Sequence, residues 1–202
     1  MSEQFDTKYK DKTIEGSHFP DKPIKNNVKI TFTKEMMNEY LPVINEMDIP
    51  KGLKLLCVIM AHKEGYYKGT RSYRTNNPGN IGNTDSGANV QIKTLQDGIQ
   101  RQVDYINRII DGKSKVYPMN KLVVIKPYYS PEIAKNSKRY GMSPYLPGYR
   151  FTFTGQLDQF VKIYSTGARA GNSYLSMIIS FFKNHGYDIN EKTTLREIID
   201  IA

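Results

Sequence analysis

The sequence predicts a mainly α-helical (α+β) domain with a small region of strands and turns. Three stretches, 50–63, 94–110 and 173–186, place apolar side chains at helical spacing next to capping residues. Between the first two lies a segment, 64–93, in which Gly, Asn, Ser, Thr and Tyr dominate, and this composition favours turns. With 202 residues, 39% of them hydrophobic, the chain is long enough to bury a core of its own.

The chain is predicted to divide into a flexible N-terminal arm, residues 1–27, and a folded domain, residues 28–202. The arm holds five Lys and five acidic residues, two prolines and only scattered apolar side chains. Because these residues show no periodicity, we expect the arm to lie outside the core and to be available for docking.

The first elements of the domain follow from local signals. Val28–Phe32 alternates apolar and polar residues and is either a short strand or an extended lead-in. Thr33–Leu41 has helical spacing, with Thr33 as its N-cap, and Pro42 should break or kink it. Residues 50–63 form the next helix, and because apolar side chains cover nearly its whole circumference, it should be central and buried.

The remaining elements are read in the same way. Asn89–Lys93 is expected to form a small β element, and Thr94 then caps a strongly amphipathic helix that runs to about Ile110. Gly112–Gly155 is harder to interpret: Leu122–Ile125 fits either a strand or a helix. Four further helices are predicted, at Pro131–Arg139, Gln156–Tyr164, Ser173–His185 and Thr194–Ile201.

Several classes of protein are excluded or disfavoured. The single cysteine, Cys57, rules out an intrachain disulfide and a cluster of thiolate metal ligands, and its apolar helix indicates a buried structural thiol. The longest apolar run, Leu53–Ala61, is far shorter than the roughly 20 residues that cross a bilayer. Met1–Lys12 is polar, so no secretory signal peptide is visible. The three histidines are scattered, so we expect no metal and no other cofactor.

The formal net charge of +9 is unevenly distributed. The arm contributes nothing, whereas residues 101–169 hold twelve Lys and Arg against four Asp and Glu, a net +8. This stretch is either a solvated basic face or a surface that attracts a polyanion. Five of the tyrosines in this stretch would either stack on sugars or bases or pack a loop-rich wall; they are Tyr128, Tyr129, Tyr140, Tyr145 and Tyr149.

The most informative position is Glu64, directly after the apolar helix 50–63. Partial burial and the negative end of the helix dipole both disfavour ionisation, so the pKa of this carboxyl should be raised. A carboxylic acid that stays protonated near neutral pH can donate a proton to a glycosidic oxygen. The alternative is that Glu64 is a solvated surface acid at a helix end.

Two segments resemble the lysozyme-like superfamily of enzymes that cleave peptidoglycan, including phage-type muramidases and lytic transglycosylases and bacterial endo-β-N-acetylglucosaminidases. The first comprises Glu64-Gly65 and Arg71-Ser72-Tyr73-Arg74-Thr75-Asn76-Asn77-Pro78-Gly79-Asn80-Ile81-Gly82. The second comprises Tyr164-Ser165-Thr166-Gly167 and Ser173-Tyr174-Leu175, which is similar to the glucosaminidase segment Tyr-Ala-Thr-Asp-Pro-x-Tyr. Gly167 replaces the aspartate of that segment, which favours the muramidase or transglycosylase branch. The resemblance spans roughly residues 33–200.

The resemblance implies a lysozyme-like helical domain and assigns roles within it. Glu64 is the general acid/base of the implied mechanism. The residues implied to bind the sugars are Ser72, Tyr73, Asn76, Asn77, Asn80, Ile81, Tyr164 and Tyr174. Asp85 offers a second carboxylate, although its Ser-Gly context is more typical of a turn.

The sequence thus predicts an enzyme that cuts the glycan strands of bacterial peptidoglycan with one Glu as general acid/base. The alternatives are a glucosaminidase that cuts the other glycosidic bond, and a catalytically silent virion or wall-binding protein of the same fold. A nucleic-acid-binding protein is a weaker hypothesis. We expect a phage protein made in the host cytoplasm that acts at the cell wall, free or as a virion component, where the arm would contact other virion or tail proteins.

Overall fold

The computed structural model describes residues 7–19, 21–83, 89–136, 142–165 and 171–202. Helix accounts for about 42% and strand for 11%, so the fold is a mixed α+β fold dominated by helix. This agrees with the predicted class. No helix among the described residues has the length and apolar character needed to cross a membrane.

Eight α-helices are present in the described ranges, and four of them begin with a capping side chain. They are α1 Leu41–Glu46, α2 Lys51–Lys63, α3 Arg71–Arg74, α4 Leu95–Ile110, α5 Pro131–Lys135, α6 Leu157–Tyr164, α7 Ser173–Asn184 and α8 Leu195–Ile199. Thr94 caps α4 by accepting from the Asp97 amide, and Thr194 forms a complete capping box with Glu197. These two predictions are confirmed.

Pro42 was expected to break or kink the first helix, and of these two effects the break is wrong. A π-helical turn, Met36–Tyr40, precedes α1 and runs directly into it, and Thr33 accepts from the Met36 amide as predicted. The wider turn removes the clash between the proline ring and the preceding carbonyls, so the helix continues through Pro42.

The central element is α2, as predicted. Every residue from Leu53 to Ala61 except Lys54 is buried, and α1, α4, α7 and α8 pack around the helix. Gly52 lets α8 approach, because a Cβ there would lie 1.7 Å from the Ile198 carbonyl oxygen. The rigid position of α2 fixes where the chain emerges at Glu64.

Within the described ranges, five short strands form two small sheets. They are β1 Thr13–Glu15, β2 Leu122–Ile125, β3 Tyr128–Tyr129, β4 Tyr145–Leu146 and β5 Gly148–Thr152. The three-stranded sheet has the order β1-β5-β2, with β1 parallel and β2 antiparallel to β5, and β3 pairs antiparallel with β4. Leu122–Ile125 is therefore a strand, which settles the alternative that the sequence left open.

The predicted arm is part of the fold over its described residues, so the expectation that it lies outside the core is wrong there. Strand β1 completes a sheet, and the Phe19 side chain is only 3% exposed. The buried Ser17 hydroxyl donates to Asp158 on α6 at 2.7 Å, and the Lys25 amide donates to Ser176 on α7 at 2.9 Å. Long-range hydrogen bonds and one aromatic anchor hold this segment, and neither leaves a periodic signal in the sequence.

Two further expectations need correction, and one alternative that the sequence left open is settled. Asn89–Lys93 is not a strand: its one backbone–backbone hydrogen bond to a distant described residue runs from the Ile92 amide to the Thr75 carbonyl. Val28–Phe32 is an extended lead-in without strand pairing. The helix predicted at Pro131–Arg139 ends at Lys135, and residues 137–139 lie outside the described ranges.

Candidate active site

Glu64 is the residue at which α2 ends. Its amide still donates to the Met60 carbonyl at 2.9 Å, and the next residue, Gly65, adopts a left-handed conformation with φ 73° that turns the chain away. The carboxyl group is thereby fixed at the end of the most apolar helix in the chain. This is the position that the sequence predicted for it.

The pKa of Glu64 is raised above that of an ordinary glutamate. Burial is the largest cause, because it penalises the charged form. A hydrogen bond from the Asn80 side chain and the charges of Lys63 and Arg71 act in the opposite direction and lower the pKa. The net upward direction is the one expected from the sequence.

Asn80 is the side chain that meets the Glu64 carboxyl. Its Nδ2 donates to Glu64 Oε2 at 3.2 Å and lies 3.5 Å from the Glu64 backbone oxygen. Its backbone is left-handed, with φ 49°, which asparagine tolerates better than most residues. Asn83 holds the amide in place by donating to Asn80 Oδ1 at 3.0 Å.

The other asparagines of this turn build it rather than face Glu64. Asn77 is fully buried and bonds Ile81 twice, donating to its carbonyl at 3.0 Å and accepting from its amide at 3.1 Å. Asn76 donates to the Ile92 carbonyl at 3.1 Å, which ties the turn to the lead-in of α4. Both side chains thus have a structural role in the turn, and their predicted sugar-binding role stays a prediction.

Ser72 and Tyr73 also bond to protein groups. The buried Ser72 hydroxyl donates to the Gly65 carbonyl at 3.0 Å and so connects α3 to the chain that leaves Glu64. The Tyr73 hydroxyl donates to Glu39 in the π-helical turn at 3.1 Å. Ser72 therefore acts on the site through the backbone, whereas Tyr73 remains half-buried at its rim.

The two tyrosines of the second motif do come together with the first motif. The Tyr164 hydroxyl donates to the Gly79 carbonyl, across 85 positions of sequence. The ring of Tyr174 lies 6.1 Å from that of Tyr164, and the Glu64 charge raises the pKa of both, after the larger effect of burial. The two motifs thus form one site around Glu64.

The Tyr174 hydroxyl is the unusual atom of this site. The side chain is 1% exposed, and among the described residues its hydroxyl has no hydrogen-bonding partner. A buried hydroxyl normally finds a partner, because leaving one unsatisfied costs about 1–3 kcal/mol. An unsatisfied group of this kind next to an acid is typical of a place where a ligand or a water completes the network.

Two contributors to the site escaped the sequence reasoning. Gln102 is fully buried on α4, where it accepts from the Tyr40 hydroxyl at 2.8 Å and donates to the Cys57 carbonyl at 3.3 Å. It also packs against Gly79, where a Cβ would come within 2.9 Å of its side chain. The signal in the sequence was its place beside Val103 on a helix with an apolar stripe, where a polar residue is expected to need a partner.

Arg71 is the second contributor, because its charge lowers the pKa of Glu64. The sequence showed it only as one residue of the first motif, without a role.

Asp85, the possible second carboxylate, lies outside the described residues, as do Thr166 and Gly167 of the second motif. Of the tyrosines that were considered for stacking, Tyr149 is fully buried, Tyr128 and Tyr129 are exposed, and Tyr140 lies outside the described residues. Comparisons with protein-family models, with curated proteins and with solved structures found no match to this chain.

Proposed function

We propose that this protein cleaves the glycan strands of peptidoglycan at the β-1,4 bonds between N-acetylmuramic acid and N-acetylglucosamine, with Glu64 as the general acid. The observation that carries the proposal is the state of the Glu64 carboxyl. It is partly buried at the end of α2, its pKa is raised, and its side-chain partner is an amide donor. A solvated surface acid, which was the alternative, would not combine these properties.

The hydrogen bond from Asn80 determines where the acid carries its proton. Because Asn80 Nδ2 donates to Oε2, that oxygen keeps its lone pair and the proton resides on Oε1. Oε1 then donates to the leaving glycosidic oxygen. The carboxylate that remains is stabilised by Asn80, Lys63 and Arg71, the groups that lower the pKa of Glu64.

The two tyrosines of the second motif lie close enough to Glu64 for its charge to raise their pKa values. Tyr164 is held by its bond to Gly79, whereas the Tyr174 hydroxyl is unsatisfied among the described residues. Because this oxygen is inaccessible to solvent, we assign it to a buried water that extends the hydrogen-bond network beside Glu64, rather than to a direct contact with the sugar. Such a water would remove the cost of the buried, unpaired hydroxyl.

The fate of the glycosyl centre follows from what attacks it. Water would give a reducing sugar, whereas the 6-hydroxyl of the muramic acid itself would give a 1,6-anhydro product. In both cases Glu64 suffices as the acid and then as the base. As part of this proposal, the protein acts at the bacterial cell wall. The resemblance to phage enzymes supports a phage origin.

The test compares wild type with Glu64→Gln on purified sacculi. The amide keeps the shape of Glu64 but cannot donate an acidic proton, so we expect lysis to fall by at least about 10²-fold. Glu46→Gln is the matched control, because Glu46 also ends a helix, α1, but is exposed. Undiminished lysis by Glu64→Gln would refute the mechanism.

Mass spectrometry of the released muropeptides separates the reaction classes. Muramic acid at the reducing end identifies a muramidase, a 1,6-anhydro end identifies a transglycosylase, and N-acetylglucosamine at the reducing end identifies a glucosaminidase. A wild-type protein that sediments with sacculi and releases no fragments would identify the silent wall-binding protein.

A further inference from the structure

A groove of about 750 Å³ lies beside the turn that carries Asn80. It runs between α4 and residues 113–116, and Ile81 and Gly82 line it where it meets the turn. Its volume falls within the roughly 300–1,000 Å³ of typical ligand sites. None of the roles described above uses this groove.

Basic side chains dominate the lining of this groove. Four cationic groups face two acidic ones, a net of +2; the cations are those of Arg101, Arg108, Lys113 and Lys115. The two acids, Asp97 and Asp104, each already accept a hydrogen bond at 2.8 Å, from Thr94 and from Gln100 respectively.

Two of the cations are available to a ligand. Lys113 pairs with Asp111 at 2.9 Å, and Arg101 donates through Nε to the Ile81 carbonyl at 3.1 Å. By contrast, within the described part of the chain the side chains of Arg108 and Lys115 have no hydrogen-bonding or ion-pairing partner, and both are exposed. Such cations bind carboxylates with little competition from the protein.

The groove and the Glu64 site share one wall. The Ile81 carbonyl that holds Arg101 belongs to the residue next to Asn80, whose side chain donates to Glu64. Tyr105 lines the groove, and its ring lies 6.0 Å from that of Tyr164. A glycan bound at Glu64 therefore has a cationic groove within reach of its substituents.

We propose that this groove binds the carboxylate-bearing peptide substituents of the glycan that Glu64 cleaves. The identity of the ligand rests on the proposed function, but the residues that bind it are different ones. Asp97 and Asp104 favour a peptide, which has amide N–H groups for them, over a phosphate backbone that they would repel. The one aromatic residue in the lining is Tyr105, and its ring packs against those of Tyr117 and Tyr164, with centroids 5.8 and 6.0 Å away. The groove therefore lacks the series of stacking platforms that single-stranded nucleic acid uses.

The test is a binding measurement in the Glu64→Gln background, in which a substrate would not be consumed. The probe is a soluble disaccharide of N-acetylglucosamine and N-acetylmuramic acid that carries its peptide, compared with the same molecule after its carboxylates are converted to methylamides. We expect Arg108→Gln with Lys115→Gln to weaken binding of the first probe about tenfold, which corresponds to about 1.4 kcal/mol. Binding of the amidated probe should not change.

The matched control is Lys126→Gln with Lys183→Gln, which removes two exposed charges outside the groove and should leave both affinities unchanged. Thermal unfolding of each double variant shows whether it is folded. Equal affinity of the two probes, an equal effect of the two double variants, or no binding of the carboxylated probe would overturn the proposal. So would a single-stranded oligonucleotide that binds through Arg108 and Lys115 more tightly than the carboxylated probe.

The test of the groove and the test of the Glu64 mechanism can fail independently of each other. If Glu64→Gln lyses sacculi like wild type and the probe still binds through Arg108 and Lys115, the mechanism fails and the groove assignment stands. If wild type lyses sacculi through Glu64 and the groove variants bind both probes like the control, the groove assignment fails alone.

Discussion

Opposing effects act on the pKa of the Glu64 carboxyl group. Burial favours its protonated form, whereas Asn80, Lys63 and Arg71 favour the carboxylate. Because a general acid acts only while protonated, its activity declines as pH rises through its pKa. The balance at this one residue therefore sets the alkaline limit of the reaction that we propose.

Removing the Asn80 amide should move that limit upward. Asn80→Gly deletes the hydrogen bond that lowers the pKa of Glu64 and preserves the left-handed backbone. We expect the alkaline limb of kcat/KM to shift to higher pH and the maximal rate to fall, because the new carboxylate loses a donor. The pH profile of lysis measures both effects.

The control for this profile is Asn38→Gly, since Asn38 is exposed in the π-helical turn. A shift of the limb to lower pH in Asn80→Gly would contradict the role assigned to the amide.

At the scale of elements, the junction between α4 and the Asn76–Asn80 turn depends on one glycine. A Cβ at Gly98 would lie 1.8 Å from the Asn76 carbonyl oxygen. Alanine is normally favoured over glycine inside a helix by about 1 kcal/mol. Here the order should be reversed, because the helix and the turn would be forced apart.

We therefore expect Gly98→Ala to lower the free energy of unfolding by about 1–3 kcal/mol and to slow glycan cleavage. Urea unfolding and a lysis assay measure the two effects. Gln96→Ala is the control on the same helix, since Gln96 is exposed, and it should be neutral. A Gly98→Ala protein as stable and active as wild type would contradict this prediction, because it would show that α4 and the turn can move apart at little cost.

The N-terminal segment offers a second test at this scale. Phe19 packs against Tyr9 with ring centroids 5.0 Å apart and against the Lys162 ammonium at 5.8 Å. Phe19→Ala should cost about 3–5 kcal/mol of stability, as for other buried aromatic residues. In a flexible arm the same change would be neutral, so the unfolding transition of Phe19→Ala distinguishes the two descriptions. The control is Leu122→Ala, whose side chain is 52% exposed.

The elements that could be predicted are those whose signals are local. The boundaries of α2, α4, α7 and α8 follow from apolar stripes and from caps such as Thr94 and Thr194. Strand β1 could not be found, because three residues of parallel pairing across 135 positions leave no pattern in that segment. Strand β5 was missed although residues 149–153 alternate apolar and polar side chains, because the surrounding stretch is rich in Tyr, Pro and Ser.

In the candidate site, too, some features could be predicted from local sequence signals and others could not. The sequence indicated Glu64, the direction of its pKa shift and the tyrosines that join it. It could not show that Asn80 faces the acid while Asn76 and Asn77 bond the backbone, because the three side chains are chemically identical. The left-handed backbone does not separate their roles either, because Asn76 and Asn80 share it, with φ 51° and 49°. The roles depend on where the folded turn places each side chain.

At the scale of the whole molecule, the net charge of +9 should govern association with an anionic wall. We expect the fraction of Glu64→Gln protein that sediments with sacculi to fall as salt rises from about 0.05 to about 0.5 M, where the screening length drops well below 10 Å. Sedimentation with uncharged chitin should change much less. Binding to sacculi that is insensitive to salt would show that charge does not drive the association.

The hydrogen bonds that fasten the N-terminal segment also constrain the time course of folding. The bonds of Ser17, Lys25 and Val28 to α6 and α7 span 141, 151 and 152 positions. At about 5–20 residues per second, the ribosome needs on the order of ten seconds to supply these partners after the segment itself has been made. Folding is therefore completed late in synthesis. Until then Phe19 and the edge of β1 are exposed to chaperones and proteases in the cell.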